Sequence, residues 1–90
     1  MREVEQLVIK KIVRRIYADA MKEMRADYFL ILKYRATQFR DLIDASSFKS
    51  VLGFLPNIKH NHQPFVVSVS TNIKSGEYEI TVINPRIKAW

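Results

Sequence analysis

The 90-residue sequence contains no cysteine, two glycines and three prolines. Without cysteine it has neither a disulfide framework nor a thiolate metal site, a pattern that suits a reducing compartment. With Gly53 and Gly76 as its only glycines, it has no glycine-rich loop to cradle a phosphate. Long apolar runs are missing too. The longest uninterrupted stretch of large apolar residues, Tyr28 to Leu32, falls far short of the roughly 20 residues that span a bilayer. The opening Met-Arg-Glu-Val-Glu lacks the basic-then-apolar order of a signal peptide. These absences lead us to expect a soluble, intracellular (cytoplasmic) protein, or a component of a particle assembled inside a cell, with no membrane partner.

What is present fits a single small domain over residues 1–90, whose core is adequate but not generous. Fifteen Lys and Arg stand against nine Asp and Glu, for a formal charge of +6. The excess is spread evenly, +3 in residues 1–45 and +3 in residues 46–90, so no basic tail stands out. Such a field favours contact with polyanions without saying how they are read.

The best-defined stretch is Phe65 to Asn84, which reads as an antiparallel β-hairpin closed by a two-residue turn at Ser75-Gly76. That register sets Val67, Val69, Ile73, Tyr78, Ile80 and Val82 on one face. Ser68, Ser70, Asn72, Lys74, Glu77, Glu79 and Thr81 fall on the other, the alternation of a half-buried pair.

Upstream, Glu3 to about Arg25 has helical periodicity: Ile9, Ile12, Val13, Ile16, Tyr17, Ala20 and Met24 share one side at 100° per residue. Lys10, Lys11, Arg14, Arg15, Lys22 and Arg25 decorate the rest. The apolar side moves near Asp27, so Tyr28 to Arg35 is either a second helix or a strand exposing alternate faces. The lack of a turn residue between Arg25 and Tyr28 favours the helix. Ala36 to Ala45 is helical again. Ser46 and Ser47 suit N-caps of a short helix through Phe48, Val51, Leu52 and Leu55, which Pro56 ends. Asn57 to Gln63 reads as an exposed connection. The expected fold is therefore α+β: a long N-terminal amphipathic helix, one or two further helices, a C-terminal hairpin over residues 65–84, and a possible extra strand at 28–35.

No catalytic, metal or cofactor motif is found. His60 and His62 lie two apart, but two imidazoles without a Cys or nearby carboxylate do not complete a zinc set. Asp19, Glu23 and Asp27, spaced by four, would align along a helix flank and read best as neutralising Arg15 and Lys22. No histidine is placed to activate any serine. Catalytic, cofactor-binding and metal residues are accordingly none, and no small-molecule substrate is indicated.

Two functional expectations follow. An isolated hairpin leaves unpaired edges that something must cover, and a helical 28–35 would leave that strand to a partner. The first expectation is thus a non-enzymatic structural subunit of a homo-oligomer or larger assembly, a virus or phage particle among the settings its size suits. Its protein–protein contacts would be Val66, Ser68, Ser70, Asn72 and Trp90. The second is a small basic nucleic-acid-binding protein whose helix stripe, Lys10, Lys11, Arg14, Arg15, Lys22 and Arg25, meets phosphates.

Overall fold

The computed structural model describes residues 3–87 and is α+β. Helix α1 spans Glu3–Lys22 and strand β1 spans Phe29–Tyr34. A 3₁₀ turn at Ala36–Phe39 leads to helix α2, Ala45–Val51, which tightens into a second 3₁₀ turn at Leu52–Asn57. A miniature hairpin of β2 (Lys59–His60) and β3 (Gln63–Pro64) precedes the long pair β4 (Val66–Asn72) and β5 (Glu77–Ile83).

The main sheet has the order β1-β5-β4, antiparallel throughout. Residues 28–35 are thus mainly strand, and the helix favoured by the sequence does not form. β1 has the same alternation as its partner: Leu30, Leu32 and Tyr34 are buried while Phe29, Ile31 and Lys33 are exposed. Pairing with β5 rewards that alternation with a full ladder, from Phe29 opposite Ile83 to Tyr34 opposite Tyr78. The strand expected from a partner chain is supplied by the chain itself. β1 and β4 remain as the two sheet edges.

α1 lies across the inner face of this sheet. Ile9, Ile12, Val13, Ile16 and Ala20 are each at most 1% exposed and meet Leu30, Leu32, Ile80 and Val82 in one core. Phe39, Phe48, Val51, Leu52 and Leu55 close the end of that core, with Phe39 stacked on Phe48 at 4.9 Å between ring centroids. Truncating one of these isoleucines to alanine should cost about 2–5 kcal/mol, since the cavity cannot fully collapse. α1 ends at Lys22, short of Met24, which is exposed rather than buried.

No glycine or proline follows α1 before β1, and a distant residue fastens the link between them. Asn84, fully buried just past β5, donates from Nδ2 to the carbonyls of Arg25 (2.9 Å) and Asp27 (2.8 Å). Its Oδ1 accepts from Arg86 N–H at 2.9 Å, and its own N–H donates to Tyr28 O at 2.8 Å. The buried amide thereby finds partners for both its ends while tying the exposed α1–β1 link to the end of β5.

The hairpin keeps its expected faces with two adjustments. The connection is the four-residue Ile73–Gly76, with Asn72 opposite Glu77, so the register differs by two from that of a Ser75-Gly76 turn. Asn72 Oδ1 accepts from Lys74 and Ser75 N–H groups, and Gly76 takes φ +72°, a conformation that costs glycine little. A shift of two preserves the faces, whereas a shift of one would have exchanged them. Ile73 therefore sits at the loop tip, 93% exposed, rather than on the apolar face. Between Val66 and Ser68 a β-bulge does exchange them: Val66 turns into the core and Val67 out of it.

α2 is capped by Asp44 rather than by Ser46 or Ser47. Its Oδ1 accepts from Ser47 N–H at 2.8 Å, and that bond, with the hydroxyls of Ser46 and Ser47, holds the carboxyl below the usual aspartate range. Pro56 lies inside the following 3₁₀ turn rather than ending the helix.

Candidate nucleic-acid interface

The β2–β3 turn at Asn61-His62 has both residues at positive φ (52° and 64°), the geometry of a two-residue hairpin turn that asparagine tolerates well. This fold-back carries residues 57–62 up to one flank of α1, where the imidazole of His60 stacks on Tyr17 at 4.0 Å and Tyr17 meets the edge of Phe65 at 5.3 Å. The segment expected to be an exposed connection is thus partly anchored.

Between the fold-back and α1 lies an open cavity of about 600 Å³. Lys10 and Arg14, one helical turn apart, form one wall, and Lys59, His60 and His62 line the other. Gln6, Val13, Asn57, Ile58 and Asn61 complete the lining, which among the described residues contains no Asp or Glu. Burial, followed by the charge of Arg14, lowers the pKa of His60 from its ordinary value. His60 and His62 do face a common space, but among the described residues no group of three His, Cys, Asp or Glu gathers to hold a metal.

The helix stripe read from the sequence is divided by the fold. Lys10 and Arg14 line the cavity; Lys11 and Lys22 are exposed beyond it. Arg15 turns to the opposite flank, where Nη1 and Nη2 donate to Asp41 at 2.8 and 2.6 Å, Nη1 donates to Gln38 O at 3.1 Å, and the guanidinium lies over Phe39. The bond from Arg15 holds the Asp41 carboxyl below its ordinary range. Arg25 lies outside the helix, 3.9 Å from Asp27.

The carboxylate row is divided as well. Asp19 accepts from the Tyr34 hydroxyl at 2.7 Å while its charge still acts on Arg15, and Asp27 lies beyond the helix end. Burial, reinforced by the bond to Asp19, raises the Tyr34 pKa.

Of the expected contact residues, Val66 is 3% exposed and cannot meet a partner. Ser68 and Ser70 are exposed on edge strand β4, and Asn72 is committed to the hairpin loop. Trp90 lies outside the described residues. The structure adds an exposed apolar group on the outer sheet face, Phe29 (50%) and Ile31 (53%) on β1, with the bulged Val67 on β4.

Sequence reading missed Lys59 and the three cavity amides as functional candidates. The one signal that pointed to Lys59, Asn57 and Asn61 was the polar run Asn57 to Gln63, rich in side chains that bind and poor in side chains that pack; nothing in the sequence singled out Gln6. Comparison with protein families, curated proteins and solved structures finds no match. No helix among the described residues is long and apolar enough to cross a membrane.

Proposed function

We propose that this chain is a non-enzymatic nucleic-acid-binding protein that holds backbone phosphates in the groove between α1 and the β2–β3 turn. The observation that carries this reading is the lining itself: Lys10, Arg14 and Lys59 converge with two imidazoles on a concave surface to which the described residues bring no carboxylate. Among the described residues none of these three cations has an ion-pair partner, whereas Arg15 and Arg25 do. Placing like charges together without a counter-ion is unfavourable in the free protein, and an entering phosphate removes that repulsion. Binding should then release counterions and weaken steeply with salt, by about 0.7 log units per tenfold rise in salt for each single-strand phosphate contacted.

The test is fluorescence anisotropy with labelled oligonucleotides across a salt series, for the native chain and for Lys10→Ala/Arg14→Ala/Lys59→Ala. Loss of about 10- to 100-fold in affinity near 0.1 M salt, with a flatter salt dependence, supports the reading. Salt-independent binding, or affinity unchanged in the triple variant, overturns it.

A second reading, a subunit of a homo-oligomer, is favoured by the outer sheet face. There Phe29 and Ile31 are half exposed, and Lys33 stands opposite Glu79 at the far end of the same ladder. A two-fold axis through the apolar end would bury Phe29 and Ile31 against their copies and leave the charged pair at the rim. Sedimentation should then show a dimer that Ile31→Glu dissociates; a monomer at high concentration removes this reading.

A further inference from the structure

We infer that the occupant of the groove is a single-stranded nucleic acid, whose bases are met by the amide side chains of Gln6, Asn57 and Asn61 while Lys10, Arg14 and Lys59 take its phosphates. This rests on the phosphate-binding reading above and adds the class of strand and the part of it that is read.

The amides of this chain fall into two sets. Gln38, Asn72 and Asn84 are committed to its own backbone: Gln38 Oε1 accepts from Arg35 N–H at 2.7 Å, Asn72 fastens the hairpin loop, and Asn84 fastens the α1–β1 link. Gln6, Asn57, Asn61 and Gln63 make no side-chain hydrogen bond among the described residues; Gln63 lines a smaller cavity with Tyr17 and Phe65, while Gln6, Asn57 and Asn61 all line this one. They reach it from three separate elements, α1, the second 3₁₀ turn and the β2–β3 turn. A carboxamide offers a donor and an acceptor side by side, the pattern that matches a base edge and that a phosphate, which only accepts, does not use. His60, stacked on Tyr17, adds a π surface to the same lining.

The position of these groups separates single strands from duplexes. A helix that reads duplex DNA enters a major groove about 12 Å wide and leads with its exposed ridge. On α1 that ridge carries Leu7, Lys11, Arg14, Ala18 and Lys22, with no amide among them. Gln6 lies on the flank, across the open cavity from residues 57–62, and not on that leading ridge. A cavity of about 600 Å³ is instead of a size to admit an unstacked nucleotide.

The test uses the native chain and the variant Gln6→Ala/Asn57→Ala/Asn61→Gly. Glycine at position 61 retains the positive φ of the turn. Labelled DNA and RNA homopolymers of about ten nucleotides, and a duplex of the same length, are titrated by anisotropy, with circular dichroism to verify the fold. The native chain should bind single strands about tenfold tighter than duplex and prefer one base by about fivefold or more. The better-bound sugar type identifies the strand as DNA or RNA. In the variant the base preference should collapse to within about twofold while the salt dependence stays unchanged. Should the triple variant fail to fold, Asn61→Gly alone must still reduce the preference. Duplex binding as tight as single-strand binding overturns the inference, as does a base preference that survives the substitutions; in both cases salt-dependent binding would leave the phosphate reading standing. Failure of every strand to bind removes both.

Discussion

The two flanks of α1 carry neighbouring arginines with opposite fates. Arg14 faces a groove whose other charged neighbours among the described residues, Lys10 and Lys59, are cationic too. Arg15, the next residue, is held by both oxygens of Asp41 and lies over the ring of Phe39. The second flank is further quietened by the Tyr34–Asp19 bond. Net charge treats the two residues alike. What separates them is a single 100° step around the helix axis and the partner that the tertiary fold brings to each side. A basic stripe on a helix is thus an upper limit on the binding surface, and the part left without internal partners is the part available to a ligand.

The largest effect that can break this comparison is a pair of charge reversals. Arg14→Glu should weaken oligonucleotide binding by at least about tenfold, and Arg15→Glu by no more than about threefold, as read by anisotropy at fixed salt. Equal losses would show that the flanks do not differ. Next in size is Tyr34→Phe, which leaves the Asp19 carboxylate without its donor. It should lower unfolding stability by about 1 kcal/mol in urea titrations and leave binding unchanged, because that flank serves the fold. Asp41→Ala should have a smaller effect on stability, since its ion pair with Arg15 is largely exposed. A thermal melt should show a slight decrease. Any gain in oligonucleotide affinity should come with a steeper salt dependence from the freed guanidinium.

The smallest effect concerns pH. Burial and Arg14 hold the His60 pKa below the ordinary 6.5, so the folded state prefers the neutral ring and the unfolded chain binds the proton more readily. Stability of the free protein should therefore fall as pH drops below 6.5. Bound phosphate reverses the preference by stabilising the imidazolium, so binding takes up a proton and affinity should rise by a few fold between about pH 7.5 and 5.5. His60→Gln should flatten both trends.

Much of the fold is legible in the sequence where a single periodicity governs. The buried face of α1 is fixed by Ile9, Ile12, Val13, Ile16 and Ala20 through the 3.6-residue repeat, and the main alternation of β4 and β5 through the two-residue repeat. β1 was legible only as the less favoured of two alternatives, because its strand alternation competes with an uninterrupted helical lead-in; the Asn84 bonds that fasten the chain after α1 come from beyond the far end of β5. The bulge at Val66–Ser68 escaped because a bulge adds a residue that a strict alternation cannot contain. The candidate site was legible only in half. Lys10 and Arg14 stand out on a helix, but Lys59, Asn57 and Asn61 join them through a turn whose placement depends on His60 packing against Tyr17. No local pattern encodes that contact.

Asn84 also bears on how the protein ages. Asparagine side chains are lost with time when the backbone nitrogen of the following residue attacks the carboxamide and closes a five-membered imide. At Asn84 the following residue is Pro85, whose ring nitrogen carries no hydrogen and cannot form that product. The conversion it prevents would set a carboxylate against the carbonyl oxygens of Arg25 and Asp27, replacing two donated hydrogen bonds by repulsion in a buried site. The amide on which the α1–β1 link depends is therefore shielded, by its neighbour in sequence, from the commonest chemical route by which it could wear out.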